Sequence, residues 1–418
     1  MTDSELIDNL NKLVIYSEID NSTKGNSNKY FIDFWQYIQK IDGYVNFKLS
    51  KAYASLYYDV LKVLFHKGSI SRNYVYKTID KELQKYLFNV KYSEKFISES
   101  SFSKFFNGLN TANKERYIVF HKIYGVNIVE DSPIKVGNIS LYNFQLHKKT
   151  IAELSGYNSI KDFLVFHNEF KEYNYWISTD VECIDVNKAY EIATNRFEVF
   201  QGICQFTLSC NNYADYAISV YEDVYNATDA CYLISKNKTT SKSERKFKGC
   251  KILDINELIT EDKNLFFELT ERLINSDTGE ILNRIRNSFV NYGRSIFLHS
   301  KVQKLVNYVI TIESLIEFDS DNLSQSLSKY ISAVISNDDY ELYSKIKSDF
   351  EIVYKQRSRI IHGDEIDIMD GDVEFAKDYA DNLLYMFVKD NNIWSLNKNM
   401  HLKNYLENKV MELEKSNE

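Results

Sequence analysis

The spacing of apolar residues predicts helices in both terminal thirds of the chain. Across residues 30–109 and 257–389, apolar positions recur every three or four residues, which is typical of amphipathic helices. The first region begins with Phe34, Tyr37, Ile38 and Ile41. The second contains two late stripes, formed by Leu342, Ile346, Phe350 and Val353 and by Phe375, Tyr379, Leu383 and Phe387. Short connections between such helices predict antiparallel neighbours in a bundle.

The middle of the chain has a different pattern. Runs rich in β-branched and aromatic residues predict strands at residues 117–124, 139–144, 176–181, 216–221 and 230–234. A helical spacing over residues 186–206 interrupts these runs. The middle third is therefore expected to be a mixed α/β domain.

These patterns together predict a mainly α-helical protein with a mixed α/β middle domain and a C-terminal antiparallel helical bundle. The expected divisions are a helical region 1–112, a mixed domain 113–255 for which a sensing or regulatory role is expected, a bundle 256–395 and a final surface helix 396–418. Within the bundle, Asp321 is expected to cap one helix, and Asn337 or Asp338 the next.

Composition narrows the class of protein. The 418 residues have a formal net charge of −8, which argues against a protein that coats nucleic acid nonspecifically but leaves room for a local basic site. No apolar run is long enough to cross a bilayer, and the first residues are acidic and polar, unlike a secretory signal. The five cysteines are widely spaced without a CxxC pair, as expected for reduced thiols. A cytoplasmic protein without metal or cofactor is predicted.

Residues 236–251 form a polar and basic stretch with one acidic residue, Glu244. A solvated loop is the favoured interpretation. The alternative is a patch that contacts phosphates and positions RNA through four basic side chains. These are Lys242, Arg245, Lys246 and Lys248.

An arginine followed five residues later by a histidine occurs three times, at Arg116–His121, Arg294–His299 and Arg357–His362. Histidine exchanges protons near neutral pH and arginine grips phosphate with two donors, so the pair suits metal-free RNA cleavage. The first match falls on a predicted strand, where residues five apart point to opposite faces. The second is interpreted as a helix-surface arginine and a buried or capping histidine.

The third match lies at the end of a predicted helix, directly before Gly363, a residue that commonly ends helices. Five residues on a regular helix turn through about 500°, which leaves Arg357 and His362 roughly 140° apart. Ser358 shares the face of His362, and Arg359 is a rival phosphate holder. One interpretation is an ordinary basic helix end that favours the helix dipole. The other is a site that two copies of the chain assemble together.

Residues 281–387 resemble the HEPN superfamily, in particular the Apea-like HEPN domain. The resemblance rests on the run at residues 285–289, on a helix at 310–316 that contains Ile312 and Glu313, and on the run at residues 353–363. The last run matches the family pattern of a tyrosine, Arg-Ser, a hydrophobic pair and His-Gly. The middle domain is similar in outline to regions that often precede this domain.

The resemblance implies a bundle that forms a homodimer or larger assembly, and a metal-independent endoribonuclease of anti-phage defence and abortive infection. It implies His362 as general acid and base, Arg357 as the group that stabilises the phosphate, Ser358 in support and Glu313 orienting the arginine. The implied partners are RNA, with tRNA among the candidates, and a phage trigger. The alternative is a noncatalytic HEPN module that binds a nucleic-acid or protein partner. Nucleotide binding or transfer with a partner is less favoured, since the chain has no P-loop.

Overall fold

The computed structural model describes residues 1–20, 31–34, 46–211, 213, 215–221, 228–235, 238–245, 251–261, 263–275, 279–318 and 323–415. The chain is mainly helical with small sheets, as predicted. It forms two compact units, residues 1–117 with 181–192 and residues 118–180 with 193–418. The predicted bundle and most of the predicted middle domain fall in the second unit, whereas residues 113–117 and 181–192 of the middle domain belong to the first. The domain boundaries predicted from sequence stay predictions. Within the described ranges, no helix combines the length and apolarity needed to cross a bilayer.

The first unit combines five helices with a small antiparallel sheet in the order β1-β3-β2 among its described residues. The helices are α1 (Asp3–Ile15), α2 (Ala54–His66), α3 (Ile70–Asn73), α4 (Tyr76–Tyr92) and α5 (Glu99–Thr111). The strands are β1 (Ser17–Asp20), β2 (Phe31–Phe34) and β3 (Asn46–Ser50). A single-turn 3₁₀ helix, Lys51–Tyr53, precedes α2.

The helix predicted from residue 30 is wrong at its start. Phe34 lies on β2, and the backbone there pairs with β3, where Phe47 and Leu49 are buried at alternate positions. Period-two burial of these large side chains outweighs the helical spacing that begins at Phe34. Tyr37, Ile38 and Ile41 lie outside the described residues.

A four-stranded sheet in the order β4-β8-β7-β6 lies in the predicted mixed region. Its strands are β4 (Glu115–Lys122), β6 (Ile134–Val136), β7 (Ile139–Asn143) and β8 (Tyr175–Cys183). The short strands β5 (Val126–Asn127) and β11 (Leu253–Asp254) pair in parallel, while β9 (Thr228–Ser235) and β10 (Lys238–Arg245) form an antiparallel pair.

Two predictions for this region are wrong. Residues 216–221 form no strand, because Tyr216 and Ser219 make only isolated bridges, to Lys251 and Tyr124. The basic stretch predicted as a loop contains β10, whose backbone pairs along its length with the apolar run of β9. The cross-strand hydrogen bonds of this antiparallel pair override the low strand propensity of the lysines and serines of β10.

The helices that lie wholly or mostly in the second unit are α6 (Phe144–Leu154), α7 (Ile160–Phe166), α8 (Val186–Cys210), α9 (Ile255–Glu261), α10 (Lys263–Asn275), α11 (Glu280–Ser295), α12 (Lys301–Ile316), α13 (Leu323–Ile335), α14 (Tyr340–Ile361), α15 (Asp370–Lys389), α16 (Asn391–Ser395) and α17 (Asn399–Lys415). A 3₁₀ turn, Asn168–Lys171, precedes β8. Helix α12 packs against α11, α13, α14 and α15, while α13 packs against α14, α15 and α17. This packing forms a C-terminal group of helices around a shared apolar core.

Local chemistry sets where α14 begins. The side chain of Asp339 accepts a hydrogen bond from the Leu342 N–H at 3.0 Å and caps the helix. The predicted cap, Asn337 or Asp338, is wrong, because both residues have positive φ and lie in the turn before the helix. Asp321 lies outside the described residues.

Two close-packed glycines bring α8 and α11 together. A Cβ built on Gly202 would lie 2.1 Å from the carbonyl oxygen of Phe289, and one built on Gly293 would lie 2.8 Å from the Cα of Gly202. Only the absence of both side chains permits this backbone approach. The crossing fixes the residues that follow Gly293 against α8.

Candidate active site at the end of helix α14

The end of α14 is a turn closed by backbone hydrogen bonds. Its C-cap is His362, and Gly363 follows with φ +88°. The Gly363 N–H donates to the Ile360 carbonyl at 3.1 Å, and the Asp364 N–H donates to the Arg359 carbonyl at 3.0 Å. This pair of bonds is a Schellman motif, which needs a residue that tolerates the left-handed region. The prediction that Gly363 ends the helix is confirmed.

Two basic side chains near this helix end, His362 and Arg359, are exposed to solvent. The imidazole of His362 belongs to an exposed residue. Arg359 is exposed too, and its Nε donates to Asp364 Oδ2 at 3.0 Å. Both partners of that ion pair are more than half exposed, so water and salt weaken it and a phosphate can compete for the arginine.

Arg357 faces the interior of the helical group. Its Nη2 donates to Glu313 Oε2 on α12 at 3.0 Å, and the two side chains are only 22% and 7% exposed. The guanidinium also lies 5.7 Å from the ring centre of Tyr354. The structure therefore brings together Arg357 and Glu313, the pair that the family resemblance links.

Burial dominates the electrostatics of this pair. It raises the pKa of Glu313, and the opposing effect of Arg357 does not cancel it. Burial and the Glu313 charge raise the pKa of Tyr354 to about 12, so its hydroxyl stays protonated. Glu313 Oε1 and Arg357 Nε are buried without hydrogen-bond partners. The pair is held in place, yet part of its hydrogen-bonding capacity is unused.

One copy of the chain does not assemble the predicted arginine–histidine site. Arg357 is held against α12, whereas His362 stands exposed at the helix end. Ser358 is half-buried and is linked to His362 through the backbone, since its carbonyl accepts from the His362 N–H at 3.1 Å. Because α14 stays helical as far as Ile361, the roughly 140° offset expected from helix geometry still applies to this pair.

An acidic cleft of about 530 Å³ adjoins this helix end. Its lining includes Ile360 of α14 and the carboxylates of Asp364, Glu365 and Asp367 in the following turn. Three carboxylates repel a phosphate, so the cleft of a single copy does not itself suit an RNA backbone.

The other two arginine–histidine matches have separate surroundings. Arg116 and His121 lie on β4, as predicted for a chance match on a strand. Arg294 lies in the last turn of α11 as a half-exposed residue, and its Nη2 lies 2.5 Å from Glu198 Oε1. His299 is exposed and the side chain of Ser300 caps α12. The prediction of a buried or capping histidine is wrong, because the hydroxyl of the next residue makes the cap.

The predicted RNA-contacting residues of the basic stretch divide into two groups. Lys242 and Arg245 lie on β10, paired with Cys231 and Thr228. Lys246 and Lys248 lie outside the described residues. In the part of the chain that the structure describes, no group of three or more His, Cys, Asp and Glu side chains is arranged to hold a metal ion.

Sequence reasoning missed two residues of the site. Tyr354 belongs to the helix run that carries the resemblance, and its spacing of three from Arg357 was the available signal. Asp364 directly follows the glycine that ends the helix, where a Schellman turn brings it back to Arg359. Compared with protein-family models, curated proteins and solved structures, the chain matches none of them.

Arg357→Ala should destabilise the protein by about 2–4 kcal/mol, because it leaves the buried Glu313 carboxylate without its cation. Arg359→Ala is the matched control on the same helix. Its ion pair is exposed, so the loss should stay below about 1 kcal/mol. Urea unfolding of the two variants measures both effects. Equal losses would mean that the Arg357–Glu313 pair is no more buried in solution than the surface pair.

Glu313→Gln should flatten the dependence of stability on pH. The pKa of Glu313 is raised in the folded state. At a pH between the ordinary glutamate pKa and this raised pKa, folded Glu313 keeps a proton that the unfolded chain has released. This residue's contribution therefore falls as pH rises from the ordinary glutamate pKa through the raised one. Unfolding free energies measured from pH 4 to pH 8 test this, with the exposed Glu365→Gln as control. Parallel wild-type and Glu313→Gln curves would contradict it.

Proposed function

We propose that the protein is a metal-independent endoribonuclease of the HEPN type, whose active site forms where two copies bring the ends of their α14 helices together. The observation that supports this best is that Arg357 and His362, about one and a half helix turns apart, have different surroundings. Arg357 is held in place by the buried Glu313, whereas His362 is exposed on a hydrogen-bonded helix cap. Such a pair supplies one fixed cation and one accessible group for proton transfer.

In the proposed reaction, the 2′-hydroxyl of RNA attacks the adjacent phosphorus, and a His362 imidazole accepts the hydroxyl proton. The bond from phosphorus to the 5′-oxygen of the next nucleotide breaks. An imidazolium, from the His362 of the second copy, returns a proton to that oxygen. The products are a 2′,3′-cyclic phosphate and a 5′-hydroxyl. Arg357 stabilises the negative charge that develops on the phosphorane oxygens.

The segment around His362 offers apolar surface for a second copy. Ile361, Met369 and Phe375 are 56%, 64% and 57% exposed, although each is a large hydrophobic residue. Phe375 was predicted on the buried stripe of α15, but Ala376 takes the buried position next to it. Covering such side chains is favourable, which supports a homodimer that encloses both histidines.

The cellular role we propose is anti-phage defence in the cytoplasm by abortive infection. RNA, with tRNA among the candidates, is the substrate, and a phage product is the trigger. A host cannot tolerate an unrestrained ribonuclease, so we expect low basal activity. In this proposal the remaining two thirds of the chain restrain the ribonuclease or sense the phage trigger. The basic residues on and after β10 position the RNA backbone in this proposal.

A second candidate function is a noncatalytic binding module. It is favoured by the carboxylates beside His362 and by the engagement of Arg357 with Glu313. In that case the arginine is structural and the histidine only ends a helix. Total RNA from cells that express the wild type or His362→Ala separates the two functions, with His299→Ala as the control. Discrete cleavage products that depend on His362 support the ribonuclease, and intact RNA in every strain during phage infection supports the binding module.

A further inference from the structure

A second cavity, of about 350 Å³, lies in the second unit and shares no residue with the proposed active site. One acidic and one basic side chain line it together with apolar side chains. Its lining includes Glu198, Tyr221, Arg294, Phe297, Leu298 and Asn307. Pockets of this size hold small molecules, and a few convergent polar groups select which ones.

The charged side chains form a fixed cluster. Glu198 Oε1 accepts a hydrogen bond from Arg294 Nη2 at 2.5 Å and another from the hydroxyl of Tyr221. The Glu198 side chain is 11% exposed, whereas that of Arg294 is 50% exposed. A guanidinium has five N–H donors, so the contacts of Arg294 with Glu198 and Tyr221 leave donors for a ligand.

Packing holds this cluster in place before any ligand arrives. The Gly202–Gly293 crossing sets Arg294 beside the turn of α8 that carries Glu198. Gln201 Oε1 accepts from the Val220 N–H at 2.9 Å, which fixes the segment that presents Tyr221. A site whose charges are already oriented loses less entropy on binding.

We propose that this cavity binds a free α-amino acid with an apolar side chain. The carboxylate of such a zwitterion meets the open donors of Arg294, and its ammonium meets the Glu198 carboxylate. Its side chain lies on Phe297 and Leu298, and the amide of Asn307 adds a polar contact. One cation beside one anion matches a zwitterion better than a ligand with a single charge. This inference does not depend on ribonuclease activity.

Calorimetric titration of the full-length protein with L-phenylalanine and L-leucine tests the proposal. Two analogues of phenylalanine test the contribution of each charged group. 3-Phenylpropanoate lacks the ammonium, and 2-phenylethylamine lacks the carboxylate. Each analogue should bind at least about tenfold more weakly, because one charge-assisted hydrogen bond is lost. Glu198→Gln and Arg294→Gln should each weaken L-phenylalanine binding by a similar factor. His299→Ala, exposed and five residues after Arg294, should leave it unchanged.

Absence of binding heat for both amino acids at millimolar concentration would overturn the proposal. Equal affinity for 3-phenylpropanoate and L-phenylalanine would also overturn it, because the ammonium would then have no partner. If a variant fails to fold, the analogue series on the wild type still decides. Retained binding by folded Arg294→Gln would show that the ligand lies elsewhere.

Discussion

Gly202→Ala is expected to destabilise the second unit by about 3 kcal/mol or more. The added methyl group would lie 2.1 Å from the Phe289 carbonyl oxygen, which belongs to helix backbone and cannot turn aside. Overpacking costs typically about 1–3 kcal/mol, and a clash with the backbone of a packed helix lies at the upper end. Denaturant unfolding followed by circular dichroism measures the loss. Because the crossing also sets Arg294 against Glu198, the amino-acid binding proposed for that cavity should weaken as well.

Gly371→Ala is the matched control. This glycine lies in the first turn of α15, and an added Cβ meets nothing within 4 Å. Alanine in a helix is favoured over glycine by up to about 1 kcal/mol, so this variant should equal or exceed the wild type in stability. If Gly202→Ala is as stable as Gly371→Ala, then α8 and α11 are further apart in solution than the contact between Gly202 and Gly293 requires.

Sequence pattern predicted the helices where burial follows the helical repeat over several turns. In α14, Ile346, Phe350 and Val353 are buried as expected, but Leu342 is 40% exposed and Tyr343 is buried in its place. The stripe drifts by one position at the first turn, which a spacing rule does not detect. The last helix, predicted as a surface helix, buries Leu402, Leu406, Val410 and Leu413 against its neighbours.

The spacing of apolar residues could not predict contacts between side chains that are far apart in the sequence. Arg357 and Glu313 are 44 positions apart, and only the family resemblance linked them. Arg294 and Glu198 are 96 positions apart, and no motif pointed to their pairing. In both pairs, the packing of the helices determines which side chains meet. The helix end at Gly363 could be predicted because it depends only on the backbone conformation of that glycine.

His362→Ala should lower RNA cleavage by about 100-fold or more, because general acid–base catalysis by a positioned side chain contributes roughly 10²–10⁴-fold. The fold should be unaffected, since His362 is exposed and its cap bonds are made by the backbone. Arg357→Lys, which keeps a charge but loses the two-pronged donor, should also reduce cleavage. His299→Ala, another exposed histidine five residues after an arginine, should cleave like the wild type.

The most direct test of the proposed function is the chemistry of the RNA ends that the purified protein produces in the presence of EDTA. The proposed mechanism predicts 2′,3′-cyclic phosphate and 5′-hydroxyl ends from the wild type, and loss of both from His362→Ala with unchanged circular dichroism. Cleavage that persists in His362→Ala, or that requires a divalent metal ion, would contradict it.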